Sequence, residues 1–332
     1  VRELGAAYAA KLSGTEPHLP ALPIQYGDFA AWQRARLAGG QRTHQLAYWQ
    51  EQLREPPELA LPTDFIRSAK PDYAGSTVPL IVPAATIQRL RALMAETETT
   101  FFATVLAAAQ GWLSRLTGQT DLVLGAPVAN RGEPGLEPLI GFFVNTLALR
   151  GQVEPSATFR QLLQHARQTT LDGFAHQDVP FEDVVSAVAP SRDASRNPLF
   201  QVMLVADSGR DSGLSLGELG IEAATVPTEV AKFDLTLSLQ MSAEGITGGL
   251  EFATALFKPE TAERMAAQFL HDLGQFLAAP DTPFDALPRM APELEATVAS
   301  WEEGPKLPYP TTSIAAVFTE AAKTHPTAPA PP

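Results

Sequence analysis

The chain has 332 residues, 45% of them hydrophobic and 18% charged, which is enough apolar surface for a sizeable core in about two domains or one large one. Its 37 acidic and 24 basic residues leave a formal charge of −13 with no clustered Lys or Arg, so nucleic acid and anionic membrane are poor partners. No cysteine is present, which excludes disulfides, thiolate catalysis and cysteine-based zinc sites and fits a cytoplasmic location; no run of about 18 apolar residues suggests a membrane span.

The chain begins Val1-Arg2-Glu3-Leu4, without Met or a signal peptide. Val1, Leu4, Tyr8 and Leu12 share helical spacing, so it starts inside a helix and reads as a fragment. Pro17, Pro20 and Pro23 mark an extended connection. Two amphipathic helices follow, over Tyr26 to Leu37 and around Leu46, Trp49 and Leu53. Val78 to Val82 is an expected strand, at a sheet edge because Pro79 lacks an N–H. Ile87, Leu90 and Met94 line one helix, and a second runs over about 100–117 to a stop at Gly118. Asp121 to Gly125 and Phe142 to Leu149 read as buried strands. Phe159, Leu162, Leu163 and Ala166 mark a helix, and Phe181 to Val188 a shorter one.

Leu199 to Val205 is the next expected strand. Strict alternation at Phe233, Leu235, Leu237, Leu239 and Met241 predicts a strand with one face on a core. It turns through Ala243-Glu244-Gly245 into Ile246 to Phe252 as a hairpin. Pro259 opens a helix that carries Met265, Phe269, Leu273 and Phe276. Prolines crowd again beyond Pro280, as in a linker. A helical segment over 313–325 and a disordered tail from Ala328 complete the chain. Helices alternating with strands, plus an antiparallel hairpin, argue for a mixed α/β domain with helices on one side of a sheet. The pattern alone says nothing of function.

Four stretches, taken in order, resemble the signature motifs of nonribosomal peptide synthetase condensation domains. They are Tyr26-Gly-Asp-Phe-Ala-Ala-Trp-Gln33; Ile140-Gly-Phe-Phe-Val-Asn-Thr-Leu147 closed by Arg150; His176-Gln-Asp-Val-Pro-Phe-Glu182; and Arg192-Asp-Ala-Ser-Arg-Asn-Pro-Leu-Phe-Gln201. Ala231-Lys-Phe-Asp-Leu-Thr-Leu237 also looks like family sequence. The resemblance implies an α/β, chloramphenicol acetyltransferase-like two-lobed fold with the first lobe incomplete. By it, 1–63 is the C-terminal part of the first lobe, 64–290 the second lobe and 291–310 a linker. Residues 311–332, with Tyr309-Pro310, Val317-Phe318 and His325-Pro326 near the boundary, resemble the start of an adenylation domain.

The implied reaction joins an upstream acyl or peptidyl thioester to a downstream aminoacyl thioester through an amide. The implied partners are upstream and downstream peptidyl carrier domains and an adjacent adenylation domain in cis. The carriers present 4'-phosphopantetheine; this chain itself is expected to bind no cofactor and no metal. The family's catalytic motif is His-His-x-x-x-Asp-Gly. Here no two histidines are adjacent among His18, His44, His165, His176, His271 and His325. The catalytic histidine is therefore expected upstream of Val1, and this chain alone is expected to be inactive. A non-catalytic recruitment domain and an epimerisation domain are the alternatives, the wording of the second motif speaking against the latter.

The resemblance places fifteen residues at the tunnel or the lobe interface. The first motif supplies Tyr26, Asp28 and Trp32; the second, Gly141, Phe143, Asn145 and Arg150. His176, Gln177, Asp178, Pro180 and Phe181 come from the third, and Arg192, Arg196 and Pro198 from the fourth. Structural readings are preferred for most of them. Asp178 is read as the N-cap of the 181–188 helix, Pro180 as a first-turn residue, and Glu182 and Asp183 as complements to its dipole. His176 belongs to that turn rather than to catalysis. Asn145, in an apolar strand, must find partners for its amide and is read as a brace. Arg150 and Arg196 are expected to be ion-paired, Arg196 bridging to the first lobe. Asp28 is expected to cap the helix carrying Trp32.

Overall fold

The computed structural model describes residues 2–188, 195–209, 216, 219, 229–302 and 312–327. They fall into two compact units, Val1–Arg289 and Met290–Pro332.

The first unit opens with helices α1 (Arg2–Leu12), α2 (Tyr26–Arg36) and α3 (Arg42–Gln52). A π-helical turn over Leu37–Gln41 joins the last two. Strand β1 (Gly75–Ile81), helices α4 (Ala84–Thr97) and α5 (Phe101–Thr117), and strands β2 (Asp121–Val128) and β3 (Asn145–Gln152) follow. Next come α6 (Phe159–Ala175), α7 (Phe181–Val188), β4 (Val202–Asp207), β5 (Leu235–Met241), β6 (Ile246–Ala253) and α8 (Pro259–Ala278).

The strands form one mixed sheet in the order β1-β6-β5-β4-β2-β3. The β5–β6 hairpin and the β1–β6 and β2–β3 pairs are antiparallel, while β4 runs parallel to both β5 and β2. As expected, β1 is an edge strand, where Pro79 costs no ladder bond. Leu235, Leu237 and Leu239 of β5 are buried on one face while Thr236 and Ser238 between them are half-exposed and Gln240 is exposed. Helix α5 is buried along its whole first three turns, from Phe101 to Leu113 apart from Phe102. Its first turn is capped by Thr100, whose hydroxyl accepts the Ala103 N–H at 3.2 Å. It stops at Gly118, which takes the left-handed conformation at φ 76°. Helices α4, α5, α6 and α8 pack on one another and on the strands, and Trp112, Phe159, Phe252, Phe269 and Phe276 fill the core between them.

Two strands differ from expectation. β3 starts at Asn145 rather than Phe142, because its partner β2 ends at Val128, which pairs with Asn145. Phe142 and Val144 are consequently 82% and 52% exposed rather than buried. β4 starts at Val202 rather than Leu199, because Leu199 sits at φ 70°, outside the range of an extended strand. Beyond Pro280, 284–287 packs onto the core through Phe284 and Leu287, and an α-helix, α9 (Pro292–Glu302), lies within 291–310.

The second unit contains α9 and α10 (Ile314–Thr324), the latter capped by Ser313, whose hydroxyl accepts the Ala316 N–H at 3.3 Å. The tail expected to be disordered, 328–332, lies outside the described residues. No helix among the described residues is long and apolar enough to cross a membrane.

Candidate functional site

Two of the four motifs, the second and the third, meet around the turn between α6 and α7. Asn145, the first residue of β3, donates its amide hydrogens to the carbonyls of Gln177 and Val179, both at 2.8 Å. Its Oδ1 accepts the N–H of Phe181 at 3.1 Å, the first N–H of α7. Gln45 of α3, which is 1% exposed, grips the same turn from the other side. It accepts the Val179 N–H at 2.9 Å and donates to Asp178 Oδ2 at 3.0 Å. Two amides, one buried and one half-buried, from residues far apart in sequence, thus satisfy the polar backbone of one turn.

Asp178 is not the N-cap of α7, contrary to expectation. Its Oδ2 is drawn instead to Gln41 (3.1 Å), Gln45 and Arg36 (3.3 Å). A carboxylate surrounded by three donors is better satisfied there than by one helix-end N–H. Asn145 takes the capping role. Pro180 lies just before α7, and its carbonyl accepts the N–H groups of Asp183 (3.0 Å) and Val184 (3.3 Å). Glu182 and Asp183 occupy the first turn as expected, and Asp183 pairs with Arg42 at 2.9 Å.

His176 ends α6. Its Nδ1 lies 2.7 Å from the Asp172 carbonyl, and its own carbonyl accepts the Trp49 indole N–H at 2.9 Å. The ring stacks on Tyr48, with centroids 3.9 Å apart and planes at 7°, and at 5.6 Å on His44. Burial, with Asp172 adding to it, pushes the Tyr48 phenol up to about 12. Gln177 donates its side-chain amide to the Phe174 carbonyl at 2.9 Å.

The first and second motifs meet in a small separate core of Phe29, Leu136, Leu139 and Phe143. Gly141 is needed there, since a Cβ would sit 2.2 Å from the Tyr26 ring. Tyr26 donates its hydroxyl to the Phe142 carbonyl at 2.9 Å and meets Phe143 edge-on at 5.2 Å. Arg131 covers the other side of Phe143 at 4.1 Å. Asp28 caps α2 from within its first turn, accepting the Gln25 N–H at 2.8 Å. Trp32 stays 40% exposed, with the Arg36 guanidinium 5.1 Å from its ring. Between the anchored residues, Ile140, Phe142 and Val144 project as an exposed apolar ridge.

Arg150 and Arg196 are both paired. Arg150 makes a two-pronged bond to Asp121 at 2.9 and 2.6 Å and donates to the carbonyls of Gln52 and Arg54. These bonds hold the Asp121 carboxyl below its usual range. Arg196 pairs with Glu58, in the 1–63 block. The carbonyl of Pro198 accepts the N–H of Phe200 at 2.9 Å, and Phe200 packs on Phe181, 5.6 Å between centroids, which links the last two motifs. Arg192 lies outside the described residues.

The motif side chains are thus bound to one another and to backbone, an arrangement that holds loops in place. Sequence reasoning missed Arg36, Gln41, Gln45, Tyr48 and Trp49. The spacing Gln41, Gln45, Trp49 puts two amides in line with a buried indole on one helix face, which was a usable signal. No group of three or more His, Cys, Asp or Glu among the described residues can hold a metal ion.

The condensation-domain family model matches residues 1–296. Enniatin synthetase of Fusarium oxysporum is 38% identical over 330 residues, 98% of this chain and 10% of that protein. Among solved structures, the X-domain in complex with OxyB from teicoplanin biosynthesis superposes with a TM-score of 0.76 at 29% identity, over 87% of this chain and 66% of that chain. A four-domain nonribosomal peptide synthetase bound to AMP and glycine does so with a TM-score of 0.68 at 28% identity, over 76% of this chain and 20% of that chain. These likenesses give the fold as α/β and chloramphenicol acetyltransferase-like. The chain spans between 2% and 10% of the length of such curated relatives.

Proposed function

The chain belongs to the condensation-domain family of nonribosomal peptide synthetases, and from that premise we propose that it is part of an amide-bond-forming condensation domain. The amine of an aminoacyl thioester on a downstream carrier attacks the carbonyl of an acyl or peptidyl thioester on an upstream carrier. The C–N bond forms, the C–S bond breaks, and the amine proton ends on the released pantetheine thiol. Residues 1–63 serve as part of the first lobe, 64–290 as the second, 291–310 as a linker and 311–332 as the start of an adenylation domain in cis. The observation that supports this reading is the mutual anchoring of the second and third motifs through Asn145. It sets the ridge Ile140, Phe142 and Val144 at an exposed face, suited to lining a substrate passage.

The base or positioning histidine belongs to a His-His-x-x-x-Asp-Gly segment, which this chain does not contain. The test uses two loaded carrier domains, with either this chain alone or a longer polypeptide containing both this chain and that segment. Dipeptidyl thioester is expected only from the longer polypeptide. Product from the chain alone would refute the assignment of the base elsewhere. A second reading, a recruitment module, is favoured by the likeness to an X-domain solved in complex with OxyB. Absence of product from the longer polypeptide, with carriers shown to be loaded, supports that reading instead.

A further inference from the structure

Past α8 the chain of the first unit doubles back as a strap. Phe284 and Leu287 are buried, and Phe284 meets Phe276 edge-on at 5.0 Å. The N–H groups of Phe284 and Asp285 donate to the carbonyls of Ala157 and Pro155, both at 3.0 Å. Beyond Leu287, side chains hold the strap. Arg115 of α5 donates Nη2 to the Pro288 carbonyl, and Gln268 of α8 donates Nε2 to the Arg289 carbonyl at 3.0 Å.

Both side chains converge on one carboxylate. Gln268 Nε2 is 3.0 Å from Asp272 Oδ1, and Arg115 Nε is 3.4 Å from the same oxygen. Asp272 is 0% exposed, and its Oδ2 has no hydrogen-bond partner among the described residues. Burying an ionised carboxylate is costly unless it is well paired.

The elements packed on α8 are α4, α5, β1 and β6. From α5 only Arg115 is charged, and β1 carries no charge. Of the charged groups on α4, Glu96 pairs with Arg160 and Arg91 bonds the Ser242 carbonyl; Arg89 is exposed. Glu251 of β6 accepts from Thr236. The strap adds Asp281, paired with Arg160, together with Asp285 and Arg289, whose charge acts on Arg115. α8 itself carries Glu260, Glu263, Arg264 and His271. Among the described residues, Arg115 is the one charge that acts on Asp272.

We propose that Asp272 is a charge-operated latch on the segment leaving the condensation unit. Ionised, it fixes Arg115 and Gln268 against the carbonyls of Pro288 and Arg289; neutral, it loosens that hold on Arg115. Burial raises the Asp272 carboxyl to about 7, with Arg115 and then Gln268 opposing the rise, so the latch works around neutral pH. Two trends then oppose each other. The fold prefers the neutral acid, so global stability falls as pH rises from the ordinary carboxyl value of 3.8 towards about 7, while the strap tightens.

Hydrogen exchange of the 332-residue chain at pH 6 and pH 8, corrected for intrinsic rates, tests this. Amides of 284–289 should exchange about tenfold more slowly at pH 8. Asp272→Asn should erase that difference and raise the melting temperature at pH 8. A wild-type strap indifferent to pH overturns the proposal. So does an Asp272→Asn variant that keeps the pH difference, or one that melts lower at pH 8, as a purely structural residue would. If that variant does not fold, Gln268→Met, which leaves the charge pair intact, must still quicken strap exchange at both pH values. Unchanged exchange in Gln268→Met overturns the proposal.

Discussion

Replacing Asn145 by alanine should weaken the fold far more than its half-buried position suggests. The substitution deletes two donated bonds, to Gln177 and Val179, and one accepted bond, from Phe181. Each such bond contributes about 1 kcal/mol net, and the partners left behind are backbone groups with no side-chain substitute, so the loss should be about 2–4 kcal/mol. Loss of the helix cap alone accounts for about 1 kcal/mol of that. Urea denaturation should show a lower midpoint with an unchanged slope. Hydrogen exchange should show the Phe181 amide losing protection first. Asn145→Asp makes a sharper comparison. It keeps an oxygen for Phe181 but turns the donor into a second oxygen facing two carbonyls. It should be at least as destabilising as alanine at neutral pH and should recover on acidification. A loss below about 0.5 kcal/mol in Asn145→Ala, with Phe181 still protected, would refute the bracing argument.

Three further outcomes follow from the same packing. Gly125→Ala places a Cβ 2.1 Å from the Phe200 ring and should cost about 1–3 kcal/mol by chemical denaturation, with partial recovery in combination with Phe200→Leu. Asp121 has its carboxyl lowered by Arg150, so the stability it contributes is present above its ordinary 3.8 and is lost as pH falls through the lower folded value; Arg150→Met should flatten that acid limb in melting curves. His176→Ala, in a longer polypeptide carrying the family's His-His-x-x-x-Asp-Gly segment, should keep condensation within severalfold of wild type. A loss as large as that from replacing the family's catalytic histidine would mean the ring touches substrate rather than Tyr48.

Much of the site is visible as four peptide stretches, but their connections are not. Asp178 followed by Pro180 and two acids has the local form of a helix start, which is why the pattern points to a cap there. Local form does not reveal that Arg36, Gln41 and Gln45, more than 130 positions away, compete for the same carboxylate. The second motif misleads in a similar way. Phe142 to Leu149 is apolar enough for a buried strand, yet only the part facing β2, from Asn145 on, has a partner for its backbone. Ile140, Phe142 and Val144 are left exposed although they are as hydrophobic as the residues that are buried.

The sequence by itself determined the elements whose signals are local. The edge strand with Pro79, the Gly118 stop of α5, the alternation of β5 and the Pro259 start of α8 each depend on one residue's backbone chemistry or one face's repeat. Partition between water and core acts on neighbours within a few residues, so it leaves a readable period. Only the tertiary structure decided which polar groups satisfy one another. Gln45 meets Val179, Asn145 meets Phe181, and Arg115 and Gln268 share Asp272, because buried donors and acceptors must pair with whatever the folded chain brings within about 3 Å, and sequence distance has no part in that requirement.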